Sequence, residues 1–176
     1  MSGASSGSAV KQGAGSGSGL AAKVLTVSDG VVAGTRENRS GATLTEFLAS
    51  TGWTVVEQSV VADGVKPVSR ELRRLADGFH GLIVTTGGTG FGPRDATPEA
   101  TKAVIEREAP GLSEAMRLVN PLGRLSRGTA GVVGAALVLN TPGSTAGCVE
   151  SVEAVLDVIG HAVRLLVDNY DPHPHT

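Results

Sequence analysis

Apolar residues recur along this chain with two periods, and the switches between them mark out its elements. Val24, Leu25 and Val27, interrupted only by Thr26, form a short run typical of a strand covered on both faces. From Ser40 or Gly41 to Ala49, Leu44, Phe47 and Leu48 return at helical spacing, and Ser50-Thr51-Gly52 supplies the stop. Thr54 to Val61 is a valine-rich strand ending at Ala62-Asp63-Gly64. Pro67 to Asp77 reads as a helix with Val68, Leu72 and Leu75 on one face and Arg70, Arg73 and Arg74 on a solvated one. Leu82 to Val84 is a third strand.

The second half follows the same grammar. A helix is predicted from Pro98 to about Arg107, with Thr97 as its N-cap, Pro98 at its first position and Glu99 in its first turn. Pro110-Gly111 breaks the chain before a short helix over Leu112 to Val119, which Pro121 ends. Leu125 to Gly134 reads as a loop leading into a strand and Ala136 to Leu139 as another, with a reversal at Val133-Gly134-Ala135. One helix is expected from Thr145 to about Leu166, burying Val149, Val152, Val155, Leu156, Ile159 and Val163. Strand and helix alternate through Val84. The right-handed crossover rule then brings the strand ends carrying Asp63 and Asp95 to one carboxyl edge of a mostly parallel sheet. A single three-layer α/β domain is the expected fold.

At 176 residues the chain suits one domain with a sizeable core, expected over residues 20–168. Residues 1–19 are almost all Ser, Gly and Ala and read as a flexible leader, and residues 169–176 as a polar tail. Aromatics are only 3% of the chain, so Val, Leu, Ile and Ala must make the core. A net charge of −2 gives no basic excess of the kind nucleic-acid or membrane partners select. Cys148, the sole cysteine, precludes an intramolecular disulfide and fits a reducing cytoplasm; a packing role is expected of it. His80, His161, His173 and His175 have no metal-ligand spacing.

The chemistry concentrates after the third strand, in Thr85-Thr86-Gly87-Gly88-Thr89-Gly90 followed by Arg94 and Asp95. Glycines here let the backbone turn tightly and expose its amides to an anion. It is not a P-loop, since Gly92 is followed by Pro93 and Arg94 instead of Lys-Ser/Thr, and Pro93 stands where a dinucleotide fingerprint needs its third glycine. A carboxylate at an anion site calls for a cation between them, so Asp95 suggests Mg²⁺ beside phosphate. Spacing leaves equally open that Arg94 and Asp95 simply cap a loop. Asn140-Thr141-Pro142-Gly143-Ser144-Thr145 is another strand-end loop offering amides and hydroxyls, with Ser144 or Thr145 as an alternative N-cap.

These two motifs, in this order, resemble the Mog/MoaB family of molybdenum-cofactor biosynthesis, and the resemblance runs from about Lys23 to about Leu166. It implies a molybdopterin-binding fold and transfer of AMP from Mg-ATP to the terminal phosphate of molybdopterin, releasing pyrophosphate. On its terms Asp63 and Asp95 are the catalytic pair, with Asp95 a Mg²⁺ ligand. Ser28, Asp29, Gly87, Gly88, Thr89 and Gly90 would bind nucleotide and phosphate; Asn140, Pro142, Gly143 and Ser144 would bind molybdopterin. It also implies a homotrimer and a molybdate-inserting partner enzyme. Ser126 and Arg127 match a family Ser-Arg pair, with a role in structure, at subunit contacts or at the site. Arg39 departs from the pattern, since relatives often carry an acid there. The competing readings are a non-catalytic molybdopterin carrier of the same fold and a general nucleotide-binding module.

Overall fold

The computed structural model describes residues 17–168, so the predicted tail, most of the leader, His173 and His175 lie outside the described residues. The described segment opens on β1 (Ala21–Val27), the short α1 (Asp29–Val32), α2 (Arg39–Ser50), β2 (Thr54–Val61), α3 (Val65–Ala76) and β3 (Gly81–Thr86). Then come α4 (Thr97–Lys102), β4 (Arg107–Glu108), α5 (Pro110–Leu118), a 3-10 turn (Pro121–Leu125), β5 (Ala130–Val133), β6 (Ala136–Thr141), α6 (Thr145–Glu153) and α7 (Leu156–Asp168). Gly17, read with the leader, packs under Trp53 and donates its N–H to the Thr51 carbonyl, so the fold reaches slightly beyond residue 20.

The six strands form one sheet in the order β2-β1-β3-β6-β5-β4. β2, β1, β3 and β6 run parallel; β5 returns antiparallel to β6, and β4 antiparallel to β5. Strand alternation sorts the core into two layers. Ala22, Val24, Leu82, Val84, Leu137 and Leu139 face one way, onto Leu44 and Leu48 of α2, Cys148 and Val152 of α6, and Ile159 of α7. Leu25, Val27, Ile83 and Val138 face the other way, onto Val68, Leu72 and Leu75 of α3 and Ala100 of α4. Helices therefore cover both faces, and the expected mostly parallel α/β domain is what the chain forms.

Two predicted helices are corrected. The helix expected to run to Arg107 stops at Lys102, because the backbone beyond it is taken by the sheet: Glu106 N–H donates to the Val132 carbonyl at 2.8 Å and Ala109 N–H to that of Ala130 at 2.8 Å. Val104 and Ile105 lie in the turn between, where both N–H groups donate to the Thr101 carbonyl at 3.0 Å. The long final helix is two, parted at Ala154-Val155, with Val155 buried in the same core that holds Val152 and Ile159. The expected reversal after Val133 is present, made by Gly134 at φ 56°.

Candidate active site

Chain order places the site. β1 is followed by β2 on one side and, after α3, by β3 on the other, so the first crossover helix covers one sheet face and the second covers the opposite face. The carboxyl ends of β1 and β3 are thus a topological switch point, where open parallel sheets bind ligands. A cleft of about 980 Å³ lies there, and the loops after β1, β2, β3 and β6 supply Ser28, Asp63, the Gly87–Gly90 segment and Pro142–Ser144.

The glycine loop is held from behind. Gly87, at φ 104°, donates its N–H to the Thr141 carbonyl at 3.1 Å and lies so close to β1 that a Cβ on it would overlap the Val27 carbonyl oxygen. Thr97, expected as an N-cap, makes no cap bond. Its hydroxyl instead donates to the Gly87 carbonyl at 2.9 Å and its N–H to the Gly88 carbonyl at 3.0 Å, so it acts as a strut beneath the loop. Arg127 holds the far end: its N–H donates to the Thr89 carbonyl at 2.8 Å, Nε to the Gly90 carbonyl at 2.7 Å and Nη2 to the Asp95 carbonyl at 2.6 Å. Its Nη1 pairs with Glu99, whose carboxyl the guanidinium holds below the usual range. With the carbonyls turned away, the N–H groups of Gly88, Thr89 and Gly90 find no acceptor among the described residues.

Two carboxylates flank that loop. Asp63 commits Oδ2 to the Asp29 N–H at 2.8 Å, while Oδ1 lies 3.1 Å from where a Gly88 Cβ would stand. Asp95 commits Oδ2 to the Gly92 N–H at 2.8 Å, closing its own turn, and also lines the cleft. Arg94 joins the loops from outside. It pairs with both oxygens of the Asp29 carboxylate and donates Nη2 to the Asp63 carbonyl at 2.8 Å. That guanidinium is the main reason the Asp29 carboxyl sits below its ordinary range, and Asp29 in turn raises the Arg94 value. The Asp29 carboxylate is therefore committed behind the cleft, whereas Ser28 lines it and caps α1 by accepting the Val31 N–H at 3.3 Å.

On the far side, Pro142, Gly143 and Ser144 line the cleft as expected, and Ser144 also caps α6 by accepting the Gly147 N–H at 3.1 Å. Asn140 lies deeper. It is 2% exposed; Nδ2 donates to Thr85 Oγ1 at 3.1 Å and Thr101 Oγ1 at 2.9 Å, and Oδ1 accepts the Thr129 N–H at 3.2 Å. A second cavity of about 450 Å³ between α5, the 3-10 turn and α6 adjoins the cleft and shares Leu122, Ser126, Pro142 and Ser144 with it. Ser113 lines that cavity, buried, with its hydroxyl unpartnered among the described residues. Arg39 is exposed and ion-paired to Glu37 at 2.9 Å, and lines the rim.

Residues 23–161 match the family described as "Probable molybdopterin binding domain". The chain belongs to that family. It is 37% identical over 154 residues to the molybdopterin adenylyltransferase of Helicobacter pylori J99, covering 84% of this chain and 88% of that one. The Drosophila melanogaster molybdenum cofactor synthesis protein cinnamon is 38% identical over 152 residues; the match covers 83% of this chain but only 25% of that longer protein. Among solved structures, the molybdopterin biosynthesis enzyme MoaB of Thermus thermophilus superposes with a TM-score of 0.81 at 43% identity, covering 86% of this chain and 99% of the other.

Two features of the site were hidden from sequence reading. Arg94 reads as a loop cap but reaches 65 residues back to Asp29, and Ser113 sits in an ordinary helix pattern. The Ser126-Arg127 pair was visible, and of its open roles the structure shows Arg127 tied to the glycine loop.

Proposed function

We propose that this protein is a molybdopterin adenylyltransferase, moving AMP from Mg-ATP onto the terminal phosphate of molybdopterin. The observation that carries the reading is the glycine loop at the switch point, with unpartnered amides between two carboxylates. Amides fixed at the wall of a cleft are a preorganised anion site. They would receive the phosphate oxygens of ATP, with Ser28 on the β1 side of the nucleotide. The pterin substrate's phosphate would lie along Pro142 to Ser144, above the floor that Asn140 supports. Its ring system would extend towards the smaller cavity, where the Ser113 hydroxyl offers a buried hydrogen bond.

In this reading a phosphate oxygen of molybdopterin attacks the α-phosphorus in line, a P–O–P bond forms, and the bond to the β-phosphate oxygen breaks to release pyrophosphate. The attacking phosphate is already ionised at neutral pH, so positioning and charge neutralisation are the main tasks. Asp63 and Asp95 fit Mg²⁺, since each keeps one oxygen for backbone support and has another to offer. No group of three acids, histidines or cysteines is poised as a cage among the described residues, and Mg²⁺ on ATP ordinarily needs only one or two carboxylates beside the phosphates. Bound there, Mg²⁺ would neutralise charge on the phosphates.

The homotrimer and the molybdate-inserting partner belong to the same proposal. Leu118 and Leu122, each 75% exposed beside the cavities, support an association surface there. Among the described residues no helix is long and apolar enough to cross a membrane, which is compatible with work in the cytoplasm.

The test is incubation with molybdopterin, Mg²⁺ and α-labelled ATP. Label on the pterin in the wild type, lost in Asp63→Asn and Asp95→Asn, is the expected result. Pterin binding without label would replace this reading with the carrier, and ATP binding without pterin binding with the general nucleotide module.

A further inference from the structure

We propose that Arg127 is a positioning residue for this transfer, setting the direction of the glycine-loop peptides without touching substrate; the inference rests on the reading that those peptides receive ATP. In a trans peptide the carbonyl and the N–H point in opposite directions. The Arg127 N–H holds the Thr89 carbonyl at 2.8 Å, which fixes the plane carrying the Gly90 N–H. Its Nε holds the Gly90 carbonyl at 2.7 Å, fixing the plane that carries the Phe91 N–H, and its Nη2 holds the Asp95 carbonyl at 2.6 Å, fixing the main chain of a catalytic aspartate. Arg127 lies outside the cleft lining, whereas Gly90 and Asp95 are part of it. The Thr89 and Gly90 carbonyls are therefore both taken by Arg127, and the N–H of Gly90, which lines the cleft, finds no acceptor among the described residues.

The geometry needs arginine. Two carbonyls and the Glu99 carboxylate are met by three different nitrogens of one planar guanidinium, a fork that a lysine ammonium on a flexible stem does not reproduce. Thr97 already holds the Gly87 and Gly88 carbonyls, so the guanidinium serves the far end of the loop, where exposed Phe91 stands between Gly90 and Gly92. Arg127 directly follows Ser126, which lines both cavities, so the segment bordering the pterin side also fixes the nucleotide side.

The test compares Arg127→Ala, Arg127→Lys and Glu99→Gln with wild type. In the free protein, backbone ¹⁵N order parameters at Phe91 and Ala96, whose N–H groups share the two peptide planes held by the guanidinium, are expected to fall from about 0.85 to below about 0.6 in both Arg127 variants, while Gly90, held through the main chain of residue 127, and the sheet residues stay rigid. In single turnover, kcat is expected to fall about 100-fold in Arg127→Ala and nearly as far in Arg127→Lys, as misplacement of about 1 Å can produce. Glu99→Gln, which removes the ion pair and leaves the carbonyl bonds, is expected to stay within about threefold of wild type. Unchanged order parameters in the Arg127 variants, or a loss of order spread evenly over the sheet, would overturn the proposal. So would full rescue by lysine. A wild type that binds no ATP would defeat the nucleotide reading, while the free-protein order parameters would still decide what Arg127 does.

Discussion

Asp29 and Asp63, from loops 34 residues apart, hold each other's backbones: the Asp29 N–H donates to Asp63 Oδ2 at 2.8 Å, and the Asp63 N–H donates to Asp29 Oδ1 at 3.1 Å. The exchange ties the end of β1 to the end of β2 and so sets where the remaining Asp63 oxygen points. It also separates two jobs of one side chain. Asparagine keeps an oxygen for the Asp29 N–H but loses the charge; alanine loses both.

Asp63→Asn is therefore expected to lose about 100-fold or more in transfer rate, as removal of one preorganised charge-stabilising group does. Its melting temperature should stay within about 5 °C of wild type. Asp63→Ala should lose activity and also melt lower than Asp63→Asn. Single-turnover assays with thermal melts of both variants check this, and equal melting of the two would show that the reciprocal bonds contribute nothing.

The Arg94–Asp29 pair predicts a pH dependence. Arg94 holds the Asp29 carboxyl below its ordinary value of 3.8, so Asp29 contributes stability that is fully present above 3.8 and is lost as pH falls through the depressed folded value. The melting advantage of wild type over Arg94→Ala should be flat from about pH 7 to about pH 5 and shrink only below 3.8. Both groups are largely exposed, so added salt should shrink the advantage at every pH. Thermal melts across pH and salt would reveal it; an advantage that vanishes near pH 5 would contradict the pairing.

The strands were legible because β1, β3 and β6 are compact apolar runs, and the glycine loop because no other stretch combines Gly87, Gly88, Gly90, Arg94 and Asp95. The misses share one cause: a distant partner overrode a local pattern. Thr97 followed by Pro98 and Glu99 has the form of a capped helix start, yet the hydroxyl serves Gly87, ten residues back. The stretch after Lys102 carries an acid and two apolar residues at plausible helix positions, and pairing with β5 draws it away. Asn140 is a different case: its amide is held by Thr85, Thr101 and the Thr129 N–H, while the residue borders the smaller cavity. Periodicity reports which face is buried; it does not report which buried hydrogen-bonding group is already taken.

Cys148 should be chemically inert in the folded protein. It is fully buried between sheet and helices, its Sγ lies 3.3 Å from the Thr145 carbonyl, and burial pushes its thiol up from the ordinary range, which leaves little thiolate to react. An aromatic disulfide reagent is expected to titrate no thiol in native buffer and one in denaturant. Reaction in native buffer at the rate of a free thiol would mean that α6 opens readily.

Three positive-φ glycines form a graded series that separates backbone strain from contact. Gly34, at φ 72°, has open space around a would-be Cβ, so Gly34→Ala carries only the cost of a left-handed residue, about 1–2 kcal/mol. Gly87, at φ 104°, carries that cost and also a collision with the Val27 backbone oxygen, which belongs to a central strand and cannot turn aside as a side chain can. Gly87→Ala should therefore be the most destabilised, by about 3 kcal/mol or more. Gly88, at φ 65°, meets side chains instead: Thr97 Oγ1, which struts the loop, and Asp63 Oδ1 at 3.1 Å. Side chains can rotate, so Gly88→Ala should lie between the other two in stability yet lose far more activity than Gly34→Ala, because the groups that yield are the strut and the carboxylate proposed to act in the transfer. Denaturant titrations would rank stability and single-turnover rates would rank activity. If Gly88→Ala were as active as Gly34→Ala, Asp63 would have room to move without consequence, and its place beside the glycine loop would not be what the reaction uses.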